Sequence, residues 1–277
     1  MMNSNAPLII KPTHLSQAWA HLFLHVIDSK STKASTVLLS LADFVEDEAI
    51  EDLIIREALD ECLLAFDKHS VHTVANTIFP INLWKRVDFN RHELYKKYLG
   101  NFSRIKSLGC HKNDRGTYFQ RLIAFGGDIR KGKRLDQCNG NQLEHIISGY
   151  LHSKMRYTML QASIFDPHRD HTIAPRLGFP CLQHLQFVPD QQEKTLTVNA
   201  YYATQQILEK AYGNYLGICR LSSFMAHEMK LSLNQVNFFI GIAKLDTVPK
   251  QSKEIITLKE IIQQVLSSSN PTEIGEE

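Results

Sequence analysis

Apolar positions along the chain recur at two different intervals, which separate predicted helices from predicted strands. Intervals of three and four residues are typical of one buried helix face. They predict helices over residues 13–29, 47–67, 142–152, 215–229 and 256–266, and a mainly polar helix from about 90 to 102. Thr13 is the predicted N-cap of the first helix. The acidic residues from Asp47 onward suit the positive end of the second helix.

Alternating apolar and polar residues predict the strands over 181–187 and 195–204, and short strand-like runs predict the others. The strands are expected over residues 36–39, 117–123, 158–164, 181–187, 195–204 and 236–242. A short Pro-Asp-Gln-Gln turn joins the fourth and fifth strands, so we expect an antiparallel hairpin. Helices and strands follow each other without a repeat or a linker. The predicted fold class is therefore α/β, with residues 1–277 in a single domain and a loose tail over 268–277.

Composition and charge narrow the class of protein. The 277 residues are 43% hydrophobic and 22% charged, which suits a globular domain with a sizeable core. A net charge of +2 is too small for the basic footprint of a dedicated nucleic-acid-binding protein. Residues 1–12 lack a signal-peptide pattern, and no run approaches the ~20 apolar residues of a membrane span. We expect a cytoplasmic protein that binds neither membranes nor nucleic acids.

The cysteines and the polar loops give no metal-binding pattern. The five cysteines are odd in number, scattered and without a C-x-x-C pair, which favours a reducing compartment over a disulfide framework or a zinc site. The loop from Asp166 to His171 carries carboxylates and imidazoles, but their spacing matches no ligand pattern, so no metal is expected. The basic loop over 130–134 is either a solvated surface or a phosphate site.

Cys181 is the strongest candidate for a chemically reactive residue. It directly follows Pro180 at the start of a predicted strand, where a side chain is presented at the end of a sheet. A thiol in that place is either a nucleophile or a buried core residue, since cysteine is among the most buried residue types. The local pattern leaves both interpretations open.

Four features around this cysteine resemble the thymidylate synthase superfamily, which includes the pyrimidine hydroxymethylases. The family pattern P-C-H-x-x-x-Q-F is similar to the run from Pro180 to Phe187, and its Y-Q-R-S-x-D pattern is similar to the run from Tyr201 to Gln206. The family places an asparagine eight residues after that aspartate, and Asn214 lies eight residues after Gln206. Arg156 occupies the second place of the family's arginine pair.

The resemblance spans roughly residues 45–246 and implies a thymidylate-synthase-like mixed or antiparallel sheet with flanking helices. It implies that Cys181 is the nucleophile and that Asn214 reads the pyrimidine edge. Tyr118 resembles the tyrosine near the catalytic thiol, and Trp84 resembles the cofactor-side tryptophan. Glu61 resembles the catalytic glutamate that moves protons, although an exposed helix position is an equally good interpretation.

Several family positions are changed in this sequence. The arginine that grips phosphate is Ala203, the first of the arginine pair is Met155, and the histidine after the nucleophile is Leu182. The family's ribose-binding H-x-Y is similar in position to Lys244-Leu245-Asp246, where Lys244 either replaces a lost cation or is solvated. The remaining expected substrate-binding residues are Arg156, Tyr202, Gln206 and Gln183.

The resemblance implies an enzyme that transfers a methyl or hydroxymethyl group to C5 of a pyrimidine nucleotide or nucleoside. The phosphate site is altered, and tetrahydrofolate is the implied one-carbon donor. The implied assembly is a homodimer that packs sheet against sheet, with Arg156 donated to the partner's phosphate site. The alternative is a non-catalytic protein of the same fold that binds or senses a nucleotide, or serves as a structural interaction module.

Overall fold

A six-stranded mixed sheet organises the fold in the computed structural model, which describes residues 6–108, 116–126, 140–153, 155–171, 180–246 and 248–269. The strands are β1 (Leu8–Thr13), β2 (Lys33–Leu41), β3 (Phe44–Val45), β4 (Glu48–Ala49), β5 (Gln161–Ser163), β6 (Leu182–Asp190), β7 (Thr195–Gln206) and β8 (Ser232–Lys244). The order in the sheet is β1-β2-β8-β7-β6-β5. The β1–β2 and β7–β8 pairs are parallel, and the others are antiparallel. The strands β3 and β4 form a separate two-stranded hairpin.

Helices cover one face of this sheet, which confirms a mixed α/β fold. They are α1 (Leu15–Asp28), α2 (Leu53–Ala65), α3 (Val71–Ile78), α4 (Ile81–Arg86), α5 (Arg91–Gly100), α6 (Phe102–Leu108), α7 (Tyr118–Ile123), α8 (Gln142–His152), α9 (Pro167–Asp170), α10 (Tyr212–Met229) and α11 (Lys253–Ser269). A 3-10 turn spans Tyr157–Met159, and a π-helical turn spans Ile207–Ala211. The helices α1 and α10 contact the sheet directly, while α3 packs on α10 and α11 packs on α2.

The core lies between the sheet and these two central helices. Trp19 of α1 stacks on Phe23 with ring centroids 5.1 Å apart, and its indole N–H donates to the Ile207 carbonyl at 2.9 Å. Tyr215 of α10 packs on Phe238 of β8 with ring centroids 4.6 Å apart. Because β1, α1 and β2 contribute to this sheet and core, the domain extends upstream of residue 45.

The alternation of buried and exposed residues is interrupted at one end of the sheet, in an irregularity that we call the kink. The buried residues of a strand normally alternate, but here three neighbouring strands each place two buried residues three positions apart. These pairs are Ala34 and Val37, Tyr202 and Gln205, and Ile240 and Ala243, which are also cross-strand neighbours. Thr36, inside the kink, has a left-handed φ of 55°. As a result Ala203 and Thr204 are two successive half-buried residues at the end of β7.

The face of the sheet away from the helices carries two rows of cross-strand neighbours, which we call the open face. The apolar row includes side chains that are 37% to 40% exposed, and it consists of Leu38, Phe239, Tyr201 and His184. The polar row is joined by side-chain hydrogen bonds of 2.8 to 3.1 Å, and it consists of Ser40, Asn237, Asn199 and Gln186. A groove of about 480 Å³ runs over both rows. Neither row contains a charged residue, apart from the titratable imidazole of His184.

The predicted hairpin of β6 and β7 is confirmed, as are α1, α8, α10, α11, β2 and β8. The strand predicted over 117–123 is wrong, because Thr117 caps a helix there by accepting a hydrogen bond from the Gln120 N–H at 3.2 Å. The helix predicted from Asp47 begins only at Leu53, where Asp52 caps it through the Ile55 N–H. The residues before it form the β3–β4 hairpin.

Smaller differences concern element ends. His14 rather than Thr13 is the N-cap of α1, and the polar helix predicted to end near residue 102 continues after a break as α6. The strand predicted over 158–164 is limited to β5, and the polar loop at 166–171 contains the short helix α9. Strand β1 was not predicted. The loop predicted at 130–134 and most of the predicted loose tail lie outside the described residues.

An ion-pair cluster joins α5, α8 and α10 on the helical side. Arg91 donates to Glu144 at 2.8 Å and to Glu228 at 2.9 Å, and both carboxylate side chains are only 8% exposed. Burial disfavours the Glu144 carboxylate, but hydrogen bonds from Arg91 and Ser148 outweigh that effect and lower its pKa. Glu144 therefore contributes to the stability of the fold only while its carboxylate is ionised.

We expect Arg91→Met to lower the free energy of unfolding by about 3 kcal/mol near pH 7, because two buried carboxylates lose their partner. Urea unfolding measures the effect, with Arg86→Met at an exposed site as the matched control. The folded pKa of Glu144 lies below its unfolded value, so the stabilisation is complete above about pH 4.3 and disappears as the pH falls through the folded pKa. The difference in the free energy of unfolding between the wild type and R91M should therefore become smaller in acid. A loss no larger than that of R86M would contradict the role of the cluster.

Candidate functional site

Cys181 lies immediately before β6, at the kinked end of the sheet. Its side chain is half-buried, and its main-chain N–H donates to the Tyr118 hydroxyl at 3.3 Å. Its carbonyl accepts a hydrogen bond from the Ala203 N–H at 3.0 Å. The Sγ atom lies 3.6 Å from the Thr204 Oγ1 atom. The thiol is therefore held between a helix on one side and the end of β7 on the other.

Tyr118 begins α7 and brings that helix to the thiol. Burial raises the pKa of Tyr118, and the neighbouring Cys181 acts in the same direction, so the phenol keeps its proton near neutral pH. The helix is anchored by Arg121, which donates to the buried Asp170 carboxylate at 2.7 Å and to the Ile164 carbonyl at 2.8 Å. Asp170, part of the loop that raised the question of a metal, thus forms a buried ion pair.

The end of β7 supplies buried polar groups next to Cys181. The Tyr202 side chain is fully buried, and its hydroxyl has no hydrogen-bond partner among the described residues. Gln205 accepts a hydrogen bond from the Tyr215 hydroxyl at 2.7 Å, which ties the strand to α10. Gln206 and Lys244 are cross-strand partners at the last position of β7 and β8, and both are half-buried. Lys244 forms no ion pair within the described part of the chain.

Asn214 lies in the first turn of α10, just beyond the end of β7. Its side chain is only 4% exposed, yet its carboxamide forms no hydrogen bond with any described residue. A Cβ on the preceding Gly213 would lie 2.6 Å from the Val74 Cβ and 2.8 Å from the Val71 carbonyl. Glycine is therefore required for α3 to approach this turn so closely. A buried carboxamide with unused donors and an unused acceptor is suited to reading a ligand's polar edge.

Asp246 holds the π-helical turn that leads into Asn214. One carboxylate oxygen accepts hydrogen bonds from the Leu208 and Glu209 N–H groups, both at 2.9 Å. The other oxygen has no hydrogen-bond partner among the described residues. Burial raises the pKa of Asp246 despite these hydrogen bonds. In the resemblance this residue takes the place of a ribose-binding tyrosine, whereas the structure gives it a capping role inside the chain.

Two other predicted substrate-binding residues, Gln183 and Arg156, show no side-chain hydrogen bond to Cys181 or Asn214. The Gln183 side chain is half-buried and donates to the Pro180 carbonyl, so it braces the start of β6. Arg156 is exposed before the 3-10 turn and forms no ion pair with a described residue of its own chain. Its predicted use by a partner subunit stays a prediction.

The structure does not bring Glu61 or Trp84 into contact with Cys181. Glu61 is exposed on α2 and forms no ion pair or hydrogen bond with a described residue, which matches the exposed-helix interpretation. Trp84 is 6% exposed and packs among aromatic rings, with Phe224 at 5.2 Å and Phe79 at 5.7 Å between centroids. Phe224 is ten residues beyond Asn214 on α10, or about 15 Å along the helix.

Thr204 and Asp246 contribute to the candidate site, although neither was among the site residues predicted from the sequence. A signal existed for Thr204, because it stands where the family pattern has a serine. Asp246 gave no local signal, since its partners lie more than thirty residues away in the chain. No group of three or more His, Cys, Asp and Glu side chains within the described ranges could hold a metal ion. No helix in those ranges is both long and apolar enough to cross a membrane.

Compared with known proteins, the chain matches no protein-family model and no curated sequence.

The capping role of Asp246 predicts different effects for two substitutions. Asp246→Ala removes the acceptor of two buried N–H groups and should lower the free energy of unfolding by about 1–3 kcal/mol. Asp246→Asn keeps an acceptor and removes a buried charge, so its effect should be clearly smaller. Urea unfolding of both variants at pH 7 measures the difference. Equal destabilisation by D246A and D246N would show that the charge, rather than the cap, matters.

Proposed function

We propose that the chain is a divergent member of the thymidylate synthase superfamily, with that family's fold, and that it is an enzyme acting on a pyrimidine ring through Cys181. The observation that carries the proposal is the arrangement at one end of the sheet. There β6 begins at the thiol, β7 ends beside it, and the following turn leads to a buried, unpartnered Asn214. These features agree with the spacing on which the resemblance rests.

The proposed chemistry combines a soft nucleophile, the Cys181 thiolate, with a polar side chain that binds the ring, Asn214. The Cys181 thiolate adds to C6 of the ring and forms a C–S bond, while the electrons of the C5–C6 double bond move toward C5 and the C4 carbonyl. C5 then takes up a proton from water, and the proton that C5 carried before is released. Breaking of the C–S bond restores the double bond and the thiolate. Asn214 orients the ring through its carboxamide, and Tyr118 holds the main chain of the nucleophile.

Tetrahydrofolate does not fit the residues expected to hold it. Trp84, the expected cofactor-side residue, is enclosed by the aromatic rings of the core. Gln206, in place of the family's aspartate, carries no charge. We therefore propose no step that involves folate. We assign to the protein only the addition of the thiolate to the pyrimidine ring and the reversal of that addition.

An uncharged pyrimidine nucleoside is the substrate class we favour. The side chains recorded against Cys181 are the neutral Tyr118 and Thr204, and Ala203 stands at the place of the lost arginine. A dianionic phosphate needs arginine or lysine partners when it is buried. Lys244 lies at the end of β8 opposite Gln206, two residues beyond Thr204 on β7, and it is half-exposed to solvent.

A non-catalytic, ligand-sensing protein of the same fold is the second candidate. It is favoured by the exposed position of Glu61, which leaves the proton-transfer role without a placed residue. The cysteines separate the two candidates. Burial and the nearby Glu254 raise the pKa of Cys62 to about 11, and burial raises the pKa of Cys219 strongly, so both should be inert at neutral pH. An enzyme requires Cys181 to be alkylated faster than either.

Ligand binding tests the proposed function. Uridine, deoxyuridine, cytidine and their monophosphates are to be screened by thermal shift, and a nucleoside should raise the Tm. Asn214→Ala should abolish that shift, because the ring loses its polar partner. Asn82→Ala, at an exposed site of α4, is the control and should retain it. Absence of stabilisation by every pyrimidine, or full binding by N214A, would contradict the proposal.

The proposal includes a homodimer formed through the open face. Its exposed Tyr201 and Phe239 rings stack with centroids 5.1 Å apart, and exposed apolar area of this kind is typical of interfaces. The polar row offers both donors and acceptors from Asn237, Asn199 and Gln186, so a second copy can satisfy it. With few titratable groups, two copies of the face meet without strong like-charge repulsion.

Phe239→Lys is expected to convert the dimer to a monomer, because it places two charges in the shared face. Leu64→Lys, at an exposed site of α2, should leave the dimer intact. Sedimentation velocity measures both species. A monomeric wild-type protein at micromolar concentration would refute the dimer, and so would a dimeric F239K variant.

The described cysteines Cys62, Cys181 and Cys219 are free thiols, which suits the proposed reducing, cytoplasmic setting.

A further inference from the structure

We propose that Thr204 is a positioning residue that sets the reactivity of the Cys181 thiol through its hydroxyl. The inference rests on the proposed function, because it concerns the nucleophile of that reaction. The Thr204 Oγ1 atom lies 3.6 Å from Sγ, which is hydrogen-bond distance for the larger sulfur atom. Thr204 is half-buried at the kinked end of β7, where Ile242 of β8 is its cross-strand neighbour.

The direction of this hydrogen bond depends on the charge of the sulfur. While the thiol carries its proton, either group can donate. A thiolate has no proton, so the hydroxyl must then donate to it. Thr204 Oγ1 makes no other hydrogen bond with a described residue, and it is therefore available to turn toward the sulfur.

In the part of the chain that the structure describes, Thr204 is the hydrogen-bond partner of the sulfur. Within the described ranges, no lysine, arginine or histidine side chain hydrogen-bonds to Sγ, and the residue before Thr204 on β7 is Ala203. The Tyr118 hydroxyl is engaged by the Cys181 main-chain N–H. Among the described residues, the hydroxyl of Thr204 is thus the polar side-chain group that hydrogen-bonds to the thiol. A thiolate held this way depends on a neutral donor, so its reactivity should change little with salt.

Alkylation kinetics test this role on the full-length protein. The rate of Cys181 modification by iodoacetamide is followed by peptide mapping across a range of pH and salt. Thr204→Val keeps the shape of the side chain without its hydroxyl, and Thr204→Ser keeps the hydroxyl. We expect T204V to react about tenfold more slowly near pH 7, with its pH–rate profile moved to higher pH. T204S should match the wild type in both, and all three rates should vary little with salt.

The results separate this inference from the proposed function. If T204V reacts like the wild type while Cys181 remains the fastest cysteine, the role of Thr204 is wrong and the proposed nucleophile stands. Equal slowing in T204V and T204S also overturns it, because the hydroxyl is then not the cause. A wild-type Cys181 no faster than Cys219 overturns both. Thermal melting confirms that each variant is folded, and Thr204→Ala replaces T204V if that variant does not fold.

Discussion

The site depends on the pairing of β6 with β7. The last hydrogen bond of that pair, from the Ala203 N–H to the Cys181 carbonyl at 3.0 Å, holds the thiol against the end of β7. It puts Sγ beside Thr204, and the same strand continues through the π-helical turn into Asn214. One backbone interaction thus sets the positions of the proposed nucleophile, Cys181, and the hydroxyl beside it. The position of Asn214 follows from the chain beyond it.

The elements around this pair keep the arrangement in place. The kink across β2, β8 and β7 turns Gln205 toward the helices, where Tyr215 binds it. The Asp246 carboxylate holds the turn before α10, and Gly213 lets α3 pack against that helix. On the other side, the buried pair of Arg121 and Asp170 anchors α7 beneath the thiol. Charged groups stabilise the scaffold here, while the described side chains that hydrogen-bond to Cys181 are neutral.

Much of the fold could be predicted from the sequence, because long apolar stripes and alternating strands depend on local periodicity. The hairpin of β6 and β7 and the long helix α10 are examples. The segment from Tyr118 to Ile123 was mistaken for a strand because its aromatic and β-branched residues favour strands, and the cap at Thr117 prevailed. Periodicity also could not show that Glu61 faces solvent, nor that Asp246 reaches a turn far away in the chain.

The central claim is that Cys181 adds to C6 of a pyrimidine. Such an addition makes the proton on C5 exchangeable, even without a one-carbon donor, so it can be followed alone. Proton NMR of deoxyuridine in heavy water with the protein measures this exchange as loss of the C5–H signal. We predict that the wild-type protein speeds the loss and that Cys181→Ser does not. Exchange at the same rate with both proteins, or no exchange above the background with any pyrimidine nucleoside, would contradict it.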